Sequence, residues 1–211
     1  MTGRRLLLLR HGRTAWNDSG RAQGHHDVAL DDHGHQQAAT VAPYLAALVP
    51  AALWTSDLTR ARQTARYLER ATGLSAKVDE RLREFDVGAR QGMTPAEFEA
   101  AFPEAYAAWA AGEDMARVPG SEAASEVAER MGPALRESLE SLGVGETGIV
   151  VTHGACLKVG LLELLGWPHG QATALRGVDN CAWAAVAETG SGGRLRLESY
   201  NQRSTTPPTV D

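Results

Sequence analysis

The sequence predicts an α/β layered fold, because short apolar runs alternate with longer stretches of helical spacing along its 211 residues. Hydrophobic residues make up 43% of the chain, which is enough to form a core without disulfides or metal. There is no internal repeat and no linker of biased composition. We therefore expect residues 1–211 to form a single domain.

The expected elements follow one another along the whole chain. We predict strands at residues 5–9, 51–56, 76–79 and 147–152, and a closing hairpin of 181–188 with 194–200 around GSGG. We predict helices at 32–48, 58–71, 94–111, 121–142 and 156–165, where apolar residues recur at helical spacing.

Local signals indicate where several of these helices begin and end. Asp31 is the expected N-cap of the first long helix, and Gly73 and Gly166 are expected to close the second and the last. Pro43 predicts a kink or a break in the first helix, and Pro103 is expected to divide residues 94–111 into two helices. Residues 202–211 are expected to form an irregular tail.

The composition argues against several classes of function. The formal net charge of -5 disfavours a nucleic-acid surface, which needs clustered Lys and Arg. No apolar run approaches the roughly 18 residues of a membrane span, and the run of four leucines near the N-terminus is too short for a signal peptide. Cys156 and Cys181 show no metal-ligand spacing, so we expect two reduced, buried thiols in a cytoplasmic protein.

Two of the predicted strands end in the same way, at a histidine followed by a glycine. LLLLRHG places His11 after the first strand, and IVVTHG places His153 after a later one. Ligands of open α/β sheets bind at the carboxyl ends of strands. The two imidazoles are therefore expected to meet in one crevice.

Arginines near these histidines predict phosphate chemistry. Arg10 and Arg13 flank His11, and Arg60 and Arg62 lie at the start of the helix after the second strand. Guanidinium groups form planar, bidentate bonds with phosphoryl oxygens, and nearby positive charge favours the neutral, nucleophilic imidazole. Arg62 is equally well explained as a surface cation, since Arg60 can serve alone.

An acidic residue follows the third strand in the segment LREFDVGARQG. Glu84 there can protonate a leaving-group oxygen if burial raises its pKa, although its position alone does not distinguish it from an exposed loop acid.

Other patterns point to function only weakly. Four histidines lie close together at positions 25, 26, 33 and 35, without HExxH or a tetrahedral ligand set. We interpret His33 and His35 as part of a solvated loop and helix start, whereas the role of His25 and His26 stays open because they closely follow the first motif. Cys156 follows His153 by three residues, yet no group is evident that would orient a nucleophilic pair.

Taken in order, the blocks RHGRTAWN, QGHHDVAL, SDLTRARQTA, LREFDVGARQG and VTHGA resemble those of the histidine phosphatase superfamily, also called the phosphoglycerate mutase-like family. The resemblance covers about residues 4–200. Each block alone is weak evidence for the family, but the five blocks in this order are highly specific to it.

The resemblance implies a role for each matching position. His11 would be the nucleophile that becomes phosphohistidine, and Glu84 would be the proton donor and then the base that activates water. Arg10, Arg60 and His153 would hold the phosphoryl oxygens. No metal or other cofactor would be needed, because arginines and imidazoles supply the charge. The positions expected to line the substrate pocket are Asn17, Gln23, Gly24, Gly154 and His26.

The resemblance also implies an architecture. It is a three-layer αβα sandwich around a mostly parallel central sheet, with a helical insertion over the active site. Residues 93–120 are the expected helical cap.

Members of this family divide into phosphatases and mutases, which share phosphohistidine and differ in the acceptor of the phosphoryl group. The segment from 91 to 120 is short and its alanines offer few charges for a second phosphate, which favours a phosphatase by analogy. A cofactor-dependent phosphoglycerate mutase and a non-catalytic phospho-ligand binding protein remain alternatives.

Within the phosphatase branch, RHGRTAWN, LDDHGHQQA and NCAWAAVAE resemble the actinobacterial glucosyl-3-phosphoglycerate phosphatase type. This implies that the partner is a small-molecule phosphate ester such as a phosphorylated sugar or glycerate derivative. Broad phosphomonoester hydrolysis, α-ribazole phosphate hydrolysis and a homodimeric assembly stay open.

Overall fold

The computed structural model describes residues 3–112, 118–189 and 193–204. Its strands are β1 (Arg5–Arg10), β2 (Ala52–Thr55), β3 (Lys77–Val78), β4 (Thr147–Thr152), β5 (Trp183–Thr189) and β6 (Arg194–Gln202). Its α-helices are α1 (Ala15–Asp18), α2 (Asp32–Ala46), α3 (Thr59–Thr72), α4 (Pro95–Ala101), α5 (Pro103–Ala110), α6 (Ala124–Glu140) and α7 (Gly154–Leu165). Short 3₁₀ helices lie at Glu80–Leu82, Gly88–Arg90 and His169–Ala174.

Most of the helix-end signals act as expected. Asp31 caps α2 through the Gly34 N–H, and Gly73 and Gly166 end α3 and α7 in the left-handed conformation. Pro103 begins α5 and so separates it from α4.

The break expected at Pro43 is wrong, because α2 continues through this residue to Ala46. A proline there removes only one backbone hydrogen bond, close to the end of the helix. The neighbouring Val41, Ala42 and Leu45 are buried and keep the helix packed in the core.

The strands form one sheet in the order β3-β2-β4-β1-β5-β6. The pairs β3–β2, β2–β4 and β4–β1 are parallel, whereas β5 runs antiparallel to β1 and pairs with β6 in the closing hairpin. Residues 190–192 of the predicted GSGG turn and residues 205–211 of the predicted tail lie outside the described residues. Gln202, which we assigned to the tail, belongs to β6.

Helices cover both faces of the sheet, which makes three layers. Leu6 and Leu8 pack in one core with α6 and α7, while Leu7 and Leu9 pack in another with α2 and α3. Successive side chains of a strand point to opposite faces, so a central strand covered on both sides must be apolar at every position. The predicted αβα sandwich with a mostly parallel sheet is confirmed.

The expected cap region forms a small cluster of its own. Phe98 and Val118 are its buried centre, and the aromatic side chains of Phe102, Tyr106 and Trp109 pack around Phe98. Residues 113–117 of this region lie outside the described residues. No helix of the described part of the chain is both long and apolar enough to cross a membrane.

Candidate active site

The carboxyl ends of two neighbouring strands bring the two histidines together. Arg10 of β1 is paired in register with Thr152 of β4, so His11 and His153 follow at the same edge of the sheet. Their ring centroids lie 5.1 Å apart with an edge-on orientation, and both side chains are buried.

The hydrogen bond of His11 fixes which ring nitrogen is available for attack. Its Nδ1 lies 2.7 Å from the carbonyl oxygen of Gly12. A carbonyl only accepts, so Nδ1 carries the proton and donates to it. The lone pair of the neutral ring is therefore on Nε2, which makes Nε2 the nucleophilic atom.

Burial and positive charge keep both imidazoles neutral. Burial, followed by the charges of Arg60 and Arg10, holds the pKa of His11 well below its ordinary value of 6.5. Burial and then Arg60 likewise lower the pKa of His153. Near neutral pH both rings are therefore uncharged, and the His11 ring is in the form that can attack phosphorus.

Arg60 is a fully buried cation whose position is fixed by three hydrogen bonds. It donates from Nε to Nδ1 of His153 (3.1 Å), and from its two terminal nitrogens to the carbonyls of His26 (2.9 Å) and Gly24 (2.7 Å). Burial lowers its pKa to about 10, so it remains charged at neutral pH. Three of its five N–H groups are used, which leaves two for a phosphoryl group.

Arg10 is held less tightly than Arg60. Its Nη1 donates to the carbonyl of Val178 (2.6 Å), and its Nε is buried without a hydrogen-bond partner. A Cβ at Gly154 would lie only 3.2 Å from this Nε, so the glycine leaves room for the guanidinium beside the start of α7. Unused donors on Arg10 and Arg60 thus stand on the same pocket as His11.

Three of the positions that we expected in the pocket, two amides and a glycine, do line it. The Oδ1 of Asn17 accepts bonds from Thr14 and Asn180, so its Nδ2 remains available, and Gln23 has a buried Oε1 without a partner. Gly24 contributes through its backbone. It has a φ of 53°, and a Cβ there would lie 2.6 Å from a methyl group of Val87.

The carboxylate of Glu84 also lines the pocket, at the N-terminus of α7. Its Oε1 accepts from the backbone N–H groups of Phe85 (3.0 Å) and Cys156 (2.8 Å), and its Oε2 accepts from that of Ala155 (3.0 Å). These bonds fix the direction in which the carboxylate faces the pocket.

Two side chains hold the backbone carbonyl of Glu84, and no sequence pattern predicted this role for either of them. Arg130 donates to its carbonyl from Nη2 (2.9 Å), and His25 donates to the same oxygen from Nε2 (2.8 Å). Arg130 is itself paired with Glu122. His25 therefore supports the loop of the acid.

Several residues are not where the sequence suggested. Arg13 is paired with Asp18 and Asp31, and Arg62 is exposed, so neither lines the pocket. The ring of His26 stacks on Trp16 at 4.5 Å, and only the carbonyl of His26 serves the site, through Arg60. A substrate contact by the His26 side chain stays a prediction.

His153 is buried and does not line the pocket, although its ring lies 5.1 Å from that of His11. Its Nδ1 accepts from Arg60, so its Nε2 carries the proton and donates to Oγ of Ser56 at 2.9 Å. Both ring nitrogens are therefore engaged, and its contact with a phosphoryl oxygen stays a prediction. Burial raises the pKa of the neighbouring Cys156 thiol, which disfavours a Cys/His nucleophilic pair.

Sequence reasoning missed the far wall of the pocket. Arg21, Arg90 and Trp109 line it, together with apolar residues at 22, 85, 87 and 155. Trp109 comes from α5, within the segment that we expected to form the cap. No group of three or more His, Cys, Asp or Glu residues among those that the structure describes could hold a metal ion.

The lowered histidine pKa values predict a loss of stability in acid. Below about pH 6.5 the unfolded chain binds two protons that buried, neutral His11 and His153 do not, so the free energy of unfolding should fall as pH decreases. Each histidine contributes a slope of about 1.4 kcal/mol per pH unit, or about 2.7 kcal/mol for both.

Urea unfolding between pH 7.5 and 5 measures this slope. His11→Asn and His153→Asn should each remove about half of the two-histidine contribution. The exposed His33 on α2 provides the matched control, and His33→Gln should leave the slope unchanged. Equal slopes in all three variants and the wild type would contradict the assignment.

Comparisons with known proteins agree with this geometry. The model of the histidine phosphatase superfamily (branch 1) matches residues 6–202. A glucosyl-3-phosphoglycerate phosphatase of Mycobacterium tuberculosis strain H37Rv is 36% identical over 215 residues, covering 95% of this chain and 96% of its own. A probable phosphoglycerate mutase GpmB of Erwinia tasmaniensis is 35% identical, covering 86% of this chain and 83% of its own.

A solved structure is similar throughout. The mycobacterial glucosyl-3-phosphoglycerate phosphatase in complex with VO3 superposes with a TM-score of 0.85 at 36% identity, covering 94% of this chain and 98% of that one. The sheet order, the two histidines at its edge and the match over residues 6–202 lead to one conclusion. The chain belongs to the histidine phosphatase superfamily.

Proposed function

We propose that the protein hydrolyses a small phosphate monoester through a phosphohistidine on Nε2 of His11. The observation that carries this proposal is the environment of that atom. It belongs to a neutral, buried imidazole on a pocket whose other polar groups are guanidinium donors, amides and one carboxylate.

Each step of the reaction has a residue suited to it. Nε2 attacks phosphorus while the unused N–H groups of Arg10 and Arg60 bind the phosphoryl oxygens, whose charge they neutralise in place of a metal. Glu84 donates a proton to the departing oxygen. It then accepts a proton from the water that attacks phosphohistidine, which regenerates the free imidazole and releases inorganic phosphate.

We propose a phosphorylated sugar or glycerate derivative as the substrate. Two kinds of support are available: relatives with more than 30% identity are named glucosyl-3-phosphoglycerate phosphatase, and the pocket carries cations beyond those that face the phosphoryl group. We also propose a cytoplasmic location, which the two free, buried cysteines support. A homodimer stays a prediction that sedimentation of the purified chain would test.

The proposed intermediate predicts an acid-labile phosphoenzyme. Wild-type protein mixed with a ³²P-labelled phosphate ester and quenched in alkali should retain label, because the phosphoramidate bond survives base and breaks in acid. Turnover should be unchanged by a chelator. Label that survives acid, as on a phosphoserine, would contradict attack by His11.

The mutase remains the second candidate because a relative carries that name. The two reactions separate when 3-phosphoglycerate and a catalytic amount of its bisphosphate are supplied together. A phosphatase releases inorganic phosphate, whereas a mutase forms 2-phosphoglycerate faster than free phosphate. We expect release of phosphate to dominate.

A further inference from the structure

Arg90 is the one pocket-lining arginine for which the described structure shows neither an acidic partner nor a side-chain hydrogen bond. Its Nε is buried without a hydrogen-bond partner. In contrast, Arg21 on the same pocket is paired with Glu97, and Arg60 is held by three acceptors.

The surroundings of Arg90 make its positive charge energetically unfavourable. Its guanidinium lies over the rings of Phe98 (4.6 Å) and Trp109 (4.4 Å), and burial lowers its pKa. Aromatic faces attract a cation, but they do not satisfy its N–H groups. A half-buried charge without an anion is unfavourable unless a ligand supplies one.

The unsatisfied polar atoms of the molecule are concentrated on this pocket. Of four buried side-chain polar atoms without a partner among the described residues, three belong to residues that line it, namely Arg10, Gln23 and Arg90. Arg10 is adjacent to His11 and is the residue proposed above to bind the phosphoryl group. Arg90 ends the 3₁₀ helix Gly88–Arg90 and lies over Trp109 of α5, and we assign this side of the pocket to the rest of the substrate.

We propose that Arg90 binds a carboxylate on the leaving-group part of the substrate and thereby selects acidic phosphate esters; this deepens the proposed function and rests on it. A planar guanidinium matches a carboxylate in a bidentate bond. A single guanidinium that has no partner among the described residues and lies over two aromatic rings suits a monoanion. A second phosphoryl dianion would call for more donors than this wall offers.

The test compares two esters with the same carbon skeleton, 3-phosphoglycerate and glycerol 3-phosphate, which differ in having a carboxylate or a hydroxymethyl group. The readout is the ratio of their kcat/KM values. Wild type should prefer 3-phosphoglycerate. Arg90→Met, which keeps an apolar side chain between the rings, should lower this preference roughly 10- to 100-fold, the range for losing a charge-assisted bond. Hydrolysis of p-nitrophenyl phosphate, which carries no carboxylate, should change little.

Matched variants distinguish recognition of the substrate carboxylate by Arg90 from its packing against Phe98 and Trp109. Arg62→Met removes an exposed cation that does not line the pocket, so the preference should stay near that of wild type. Arg90→Lys keeps the charge but loses the planar fork, so its preference should fall between wild type and Arg90→Met. If Arg90→Met does not fold, the ratio in Arg90→Lys decides, and an unchanged ratio overturns the proposal.

Three further results would overturn it. They are no preference for 3-phosphoglycerate in wild type, an equal loss on both esters and on p-nitrophenyl phosphate in Arg90→Met, or the same change of preference in Arg62→Met. If wild type hydrolyses no ester at all, including p-nitrophenyl phosphate, the proposed phosphatase function fails instead. The ratio of the two kcat/KM values therefore tests the role of Arg90, and hydrolysis of p-nitrophenyl phosphate tests the phosphatase function.

Discussion

Replacing His11 with alanine should abolish turnover and leave phosphate binding largely intact. The substitution removes the nucleophilic Nε2, and loss of a nucleophile commonly costs a factor of about 10⁴ or more in kcat. Arg10 and Arg60 keep their unused N–H groups, because none of their described hydrogen bonds is made to the His11 side chain.

Calorimetric titration with glycerol 3-phosphate measures binding independently of turnover. His11→Ala should bind this ester within a few-fold of wild-type affinity while releasing no detectable phosphate and retaining no label. His11→Asn fills the site better and guards against a collapse of the buried cavity. The exposed His33 again gives the control, since His33→Ala should turn over normally. Turnover that persists in His11→Ala would reject covalent catalysis here and favour a different nucleophile.

The same variant also decides between an enzyme and a phospho-ligand binding protein. If binding carries the function, His11→Ala should preserve the biological activity, because the cations remain. If catalysis carries it, the activity should disappear even though binding persists. We expect the second result, since the neutral imidazole, the unused guanidinium donors and the carboxylate all face one pocket.

The central part of this site could be predicted because it follows from strand ends. Four successive leucines must be buried on both faces of a sheet, and a parallel neighbour that also ends in His-Gly must finish at the same edge. The position of Arg60 follows from the start of α3, next to that edge. These inferences need only local patterns and the geometry of parallel sheets.

The rest of the site depends on contacts between segments far apart in the chain, which no periodicity reveals. Arg90 of a 3₁₀ helix lies over Trp109 of α5, and Asn180 reaches the carbonyl of His11 from the segment before β5. The ring of His26 stacks on Trp16, a pairing that sequence spacing does not predict. Side-chain direction at loop positions is set by such tertiary partners.

The acid role of Glu84 predicts a loss that depends on the leaving group. Glu84→Gln cannot donate the proton, so kcat/KM for glycerol 3-phosphate should fall by about 10²- to 10⁴-fold, the usual contribution of general acid catalysis. The value for p-nitrophenyl phosphate should fall much less, because nitrophenolate leaves without a proton. The matched control is Glu80→Gln, an exposed acid of the preceding 3₁₀ helix Glu80–Leu82 that should behave as wild type.

Glu84→Gln should also show a second, independent kinetic effect. Glu84 is also the base proposed for the attack of water, so in Glu84→Gln the phosphohistidine should accumulate. With p-nitrophenyl phosphate this should appear as a burst of nitrophenolate of about one equivalent, followed by slow turnover, and as more acid-labile label than in wild type.

An amide would place an N–H₂ group against one of the backbone N–H donors that now bind the carboxylate, so a thermal melt must confirm folding. A folded variant that slows both esters equally and shows no burst would exclude Glu84 from both proton transfers. The carboxylate would then only anchor its own loop to the start of α7.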